Sequence, residues 1–213
     1  MLFYNLQLSF IASVKIRFRL LRKGVSIFMT TPLRYKKLLL FANGRLKMEN
    51  LKILENKKIL IVDDEQDVLE TIVDLLDMCQ IDTALNFETA EKFLYENAYD
   101  MAILDIMGVR GYDLLKIAHH KGTPTLMLTA HALNPEAFVK SMEGGARAYI
   151  PKEKLVEIAI YVADLIKAQQ AGIQRSRGWF EKLRSFFEKQ FGRDWLDQYK
   201  EAREKYPWLD FDD

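Results

Sequence analysis

Five side chains able to do chemistry stand at the ends of short apolar runs, in an order that suggests one site. Lys58-Ile59-Leu60-Ile61-Val62 runs into Asp63-Asp64-Glu65, and Met101-Ala102-Ile103-Leu104 runs into Asp105. Pro124-Thr125-Leu126-Met127-Leu128 ends at Thr129-Ala130, and Ala148-Tyr149-Ile150-Pro151 ends at Lys152. Continuous apolar runs of this length read as strands buried on both faces of a parallel sheet. In open parallel α/β sheets, ligands gather outside the carboxyl ends of the strands. An acidic pair, a lone aspartate, a hydroxyl and an ammonium would then share one edge. Crowded carboxylates repel unless a cation stands among them. The set suits phosphoryl transfer to a carboxylate: Asp63 and Asp64 holding a hard divalent ion, Asp105 as nucleophile, Thr129 and Lys152 donating to phosphoryl oxygens. The competing reading of any one such aspartate is a helix cap or turn residue; the ordered set favours chemistry.

The elements that must position these groups alternate from Lys57 onward as strand and helix, the pattern of βαβ units and a parallel sheet. Helices are expected over Gln66 to Cys79, with Val68, Ile72, Leu75 and Leu76 at helical spacing, over Glu88 to Glu96, and over about Tyr112 to His119. A short strand falls near Ile81 to Leu85. Asn134-Pro135 reads as a cap with proline at the first helical position, and Gly144-Gly145 as the end of that helix. A last helix from Lys154 to Ala168 completes five βα repeats.

Ile59 to Glu65, Leu104 to Met107, Leu128-Thr129-Ala130 and Gly145 through Lys152 together resemble the receiver domain of two-component response regulators. The resemblance covers about residues 57–168. It implies a flavodoxin-like (βα)5 doubly wound sheet, Mg²⁺ as cofactor and phosphorylation of Asp105 by a histidine kinase or phosphotransfer protein. It also implies a metal ligand in the backbone carbonyl of Met107, a switch formed by Thr129 and Tyr149, and a residue at His131 that tunes loss of the phosphate. Such a protein is a cytoplasmic signalling switch and not an enzyme. The chain departs from the family between Asp105 and Gly111, where the loop is about two residues short and lacks its usual proline. It departs again at Glu153, where many receivers have proline.

The remaining residues fall outside the repeats. Residues 1–47 hold ten lysines and arginines and no acid, leaving 21 basic against 30 acidic residues in the rest. Three readings stay open for this stretch: a basic amphipathic membrane anchor, a basic arm for nucleic acid, or a translated segment ahead of a start at Met48. We take it as lying outside the fold, with a membrane as partner only if the anchor is real. Charged residues interrupt every apolar run before a membrane span is reached. The single Cys79 excludes a disulfide framework and reads as a small buried hydrophobe. His119-His120 reads as a solvated helix end, and Asp113 as exposed.

After a polar linker from Gln169 to Gly178, residues 178–213 form an aromatic, helical extension: Trp179, Phe180, Leu183, Phe186, Phe187 and Phe191 make a helical stripe, and Trp195, Leu196 and Tyr199 a second short one. Nine basic and nine acidic residues from 170 onward argue against DNA as partner. So many rings demand burial, either on the receiver itself or against a protein partner or second copy. The expected function is a response regulator that signals to a protein partner or homodimer. The alternatives are a DNA-binding regulator with an atypical output segment and a flavodoxin-like binding module without phosphotransfer.

Overall fold

The structure, a computed structural model of the 213-residue chain, describes residues 16–19, 26–29, 51–130, 134–173, 178–192 and 195. The readings of His131 and of the segments from 196 onward lie outside these residues, as does most of 1–47. Residues 1–45 make one compact unit and 46–213 another. In the first, β1 (Ile16–Arg19) pairs antiparallel with β2 (Ser26–Met29), Ile16 opposite Met29.

The second unit carries the five-stranded parallel sheet expected from the alternating runs. Its strands are β3 (Lys58–Val62), β4 (Gln80–Ala84), β5 (Met101–Asp105), β6 (Thr125–Thr129) and β7 (Ala148–Pro151), ordered β4-β3-β5-β6-β7. Relative to the first parallel strand this is the 2-1-3-4-5 order of flavodoxin-like folds, with its switch point between β3 and β5. Register aligns Ile61 with Ile103, Leu104 with Met127 and Leu126 with Ala148. Every residue of β5 and β6 is buried, because helices cover both faces of the sheet. Edge strand β4 is only half covered.

The helices are α1 (Gln66–Leu75), α2 (Phe87–Glu96), α3 (Gly111–His120), α4 (Pro135–Glu143), α5 (Ile158–Gln170) and α6 (Gly178–Phe191). Asn134 caps α4 as expected, its side chain accepting from Ala137 N at 2.8 Å. Asn86 does the same for α2, accepting from Thr89 N at 2.9 Å and setting its start at Phe87.

Several helix boundaries differ from the sequence reading. Helix α1 ends at Leu75, after which Cys79 N closes a turn on Leu76 O. Cys79 is half-buried, its thiol donating to Leu54 O at 3.4 Å. The segment Lys152–Glu157 is a 3-10 helix, so α5 begins at Ile158 instead of Lys154 and runs through Gln170 into the stretch read as linker. Lys152 is tied to the carboxylates at the sheet edge, which holds the chain in the tighter coil before the α-helix starts. Asp113 is half-exposed and paired with Arg110 and Lys116. His119 and His120 are exposed, as read.

At the amino edge of the sheet, Asp100 ties β5 to β3. Its Oδ2 accepts from Lys58 N at 2.8 Å and its Oδ1 from Lys57 Nζ at 2.9 Å. Partial burial works against the ionised form, but these two donors win and hold the Asp100 carboxyl below its ordinary value. Such a carboxylate stabilises the fold above the unfolded-state value near 4, and that stability is lost as pH falls through the lowered folded value. Solvent screens this half-exposed pair, so Asp100→Ala should cost about 1 kcal/mol at pH 7. Thermal unfolding should show the variant and wild type converging as pH drops below the ordinary carboxylate range; a gap that stays constant would remove the charge from the account.

Candidate functional site

The carboxyl edge gathers its groups because each strand ends where its apolar run ends. Asp63 follows β3, Asp105 closes β5, Thr129 closes β6 opposite Pro151, and Lys152 follows β7. Asp63 and Asp105 flank the switch point and are buried, at 0% and 3% exposure, as is Thr129 at 1%. Backbone bonds fix them in depth: Asp63 N donates to Ala84 O at 3.2 Å and Ile106 N to Leu128 O at 3.1 Å. Glu65 N donates to Asp63 Oδ1 at 3.1 Å, turning the chain toward α1.

One ammonium holds the acids together. Lys152 Nζ lies 2.9 Å from Asp63 Oδ2, 3.0 Å from Asp105 Oδ1 and 2.9 Å from Glu65 Oε1. Two of these partners are buried carboxylates that can gain little from water, so the lysine carries most of their compensation. Glu65 stands in the acidic run read from the sequence, but its reach to Lys152 is a geometric fact that strand patterning does not disclose.

The compensation is incomplete. Burial pushes the Asp63 carboxyl up to about 6, against the pull of Lys152 and the Glu65 N–H, with Asp105 adding repulsion. Burial likewise raises Asp105, opposed by Lys152 and a backbone N–H at Met107, while the charge of Asp64 adds to the rise. Three carboxylates thus share one lysine, and the charge of Asp64 bears on the same edge. Carboxyl groups raised this way favour a bound cation as much as a bound proton.

The expected metal set is not brought together as a closed cage. Among the described residues no three ligating side chains converge on one point. Lys152 stands between Asp63 and Asp105, while Asp64 is exposed and lies against the loop after β5. A cation nevertheless finds donors here. Asp63 Oδ2 is buried and makes no hydrogen bond, because Lys152 approaches it off the bonding angle. The Met107 carbonyl accepts from Val109 N at 2.5 Å and keeps a second lone pair. Oxygen donors of this kind suit a hard divalent ion.

The short loop closes by two glycines. Gly108 adopts φ +65° with its Cα against Asp64, where a Cβ would come within 2.3 Å of the carboxylate. Gly111 passes over the Asp105 backbone, and a Cβ there would meet Asp105 O at 1.9 Å. The loop can be short only because both positions lack a side chain.

Thr129 Oγ1 is buried and faces the Tyr149 hydroxyl, off ideal hydrogen-bond geometry. The hydroxyl of Tyr149, fully buried on β7, stands beside it and beside the Asn134 backbone; burial raises that phenol, with both neighbours opposing. The arrangement amounts to a buried carboxylate at the switch point, an ammonium at its side and a buried hydroxyl on the neighbouring strand.

The parallel-sheet unit is similar in sequence to known proteins. The response regulator receiver domain family matches residues 59–162. The chain is 29% identical over 132 residues to the regulatory protein VanRB of Enterococcus faecalis, an alignment covering 60% of this chain and 57% of that one. It is 32% identical over 99 residues to the transcriptional regulatory protein CpxR of Klebsiella pneumoniae, covering 45% and 42%. A solved structure described as a response regulator from Chloroflexus aurantiacus is 30% identical, with 53% of this chain and 98% of that one covered and a TM-score of 0.47. The chain spans about half the length of the curated relatives named here. One of them is named a transcriptional regulator, so the sequence-based exclusion of DNA finds no support among the relatives. Within this chain, residues 59–162 are a response regulator receiver domain.

Proposed function

We propose that the chain accepts a phosphoryl group on Asp105 from a histidine kinase or phosphotransfer protein and signals through the resulting surface change to a protein partner or a second copy. The observation that carries this reading is the Lys152 ammonium bridging Asp63 and Asp105 at the switch point, with the buried Thr129 hydroxyl on the neighbouring strand. An Asp105 carboxylate oxygen attacks phosphorus, the P–N bond to the donor histidine breaks, and the imidazole leaves with its electron pair. Lys152 pairs with Asp105 before transfer and with the phosphoryl oxygens afterwards. Thr129 then donates its hydroxyl hydrogen to one of those oxygens.

The residues that would hold Mg²⁺ are Asp63, Asp64, Asp105 and the carbonyl of Met107. Bound there, the ion supplies charge neutralisation to the group in transfer. Relatives of the receiver act as signalling proteins, and the same role is assigned here, with no turnover of a small-molecule substrate. Residues 1–47 and 178–213 are read as an extension outside the fold and a helical appendage. No helix among the described residues is long and apolar enough to cross a membrane.

Two measurements test the assignment. Acetyl phosphate with Mg²⁺ should add one phosphoryl group, seen by intact mass, and Asp105→Asn should reduce the increment to background. Undiminished labelling of that variant would move the acceptor elsewhere. Mg²⁺ should also stabilise the fold, since a ligand bound only by the native state adds about 2.7 kcal/mol at a hundred times its Kd. Asp64→Ala should remove most of the rise in melting temperature; an equal rise in variant and wild type would contradict the metal set.

A further inference from the structure

Helix α6 is laid over the receiver by an aromatic row that reaches the site's own tyrosine. Trp179, Phe180, Leu183 and Phe187 are at most 1% exposed, and Trp195 is 3% exposed. All four rings converge on Phe138 of α4. Phe180 and Phe187 each lie 5.7 Å from it between ring centroids, Trp179 6.2 Å and Trp195 5.1 Å. Phe138 in turn meets Tyr149 edge-on at 5.5 Å, and Phe187 reaches Tyr149 directly at 6.3 Å. At the margin, Lys182 of α6 pairs with Asp164 of α5, and Lys154 lies 5.3 Å from the Phe186 ring.

Tyr149 therefore has one end in the α6 packing and the other beside the buried Thr129 hydroxyl. A ring at 0% exposure in a close-packed cluster has no free rotamer. If Thr129 turns to a phosphoryl oxygen, the Tyr149 hydroxyl loses its neighbour, and the ring can follow only if Phe187 and Phe138 yield. Conversely, while α6 is seated, Tyr149 is clamped and Thr129 is kept where it stands.

We infer that α6 is a built-in latch on the α4–β7 face: its aromatic row, acting through Phe187 on Tyr149, holds the resting arrangement, and phosphorylation of Asp105 loosens it. The inference rests on the proposed role of Asp105. The face under α6 is apolar and aromatic, so loosening uncovers a surface fitted to protein. By linkage, whatever weakens α6 must favour the phosphorylated arrangement by the same factor.

The test uses the full chain and two readouts on one sample. Hydrogen exchange of peptides from 178–191 is followed before and after acetyl phosphate with Mg²⁺, and intact mass records phosphorylation. Exchange should rise about tenfold, within the range of coupled sites. A mass increment with unchanged exchange overturns the latch alone; no increment overturns the reading of Asp105 and the latch with it. Reciprocity is tested at equilibrium with beryllium fluoride as phosphoryl mimic. Lys182→Ala, which removes the pair with Asp164 and a bond to Gly178 O but no aromatic contact, should tighten its binding about twofold, and Phe187→Ala about tenfold. If Phe187→Ala does not fold, Lys182→Ala decides; unchanged or weaker affinity there overturns the latch.

Discussion

Lys152 follows the last strand of the sheet, yet its charge is spent on the ends of the first and third. Asp63 and Asp105 are withdrawn from water because β3 and β5 are interior strands covered on both faces. A buried carboxylate without a partner is costly, and two side by side are costlier still. The ammonium at about 3 Å from each makes the switch point tolerable and ties strand ends that are distant in sequence. Its own stem is positioned by Pro151 and the 3-10 helix that follows, so the late start of α5 belongs to the same constraint. One cation among four acids also leaves a deficit. The edge is stable enough to fold and charged enough to attract.

Much of this was legible in the sequence. Apolar runs ending in Asp63, Asp105, Thr129 and Lys152 placed those residues at one sheet edge, because parallel strands buried on both faces leave only their ends for polar groups. Tyr149 was visible by its position before Lys152. What was hidden depended on contacts between distant segments. Glu65 joins the Lys152 cluster through a side chain whose direction is set by the turn after Asp63, not by strand patterning. The divalent set is not pre-assembled, because the lysine already occupies the space between two of its members. Local chemistry also moved the helix ends: Asn86 caps one residue earlier than the first acid suggests, and the tether at Lys152 delays α5 by four residues.

The aromatic extension shows how far composition alone reaches. A row of Trp and Phe at helical spacing demands burial, but spacing does not say against what. The answer lies in Phe138, a single ring on α4 whose own spacing is unremarkable. It becomes the centre of the cluster because α4 presents it beside Tyr149 on the edge strand β7. An edge strand is normally open on one side, and this one is fully buried. Phe138 and Phe187 enclose its central tyrosine.

Cys79 gives the molecule a reporter of its own. It is the chain's one thiol, half-buried before β4 and donating to Leu54 O. That position is at the amino edge of the sheet, the whole length of a strand from the carboxylates. Its bond to Leu54 O couples the thiol to the 52–54 turn, so the rate of thiol labelling senses local opening at the far end of the domain. A spectroscopic tag attached at Cys79 would leave the acidic edge untouched and would separate breathing of the scaffold from events at the switch point.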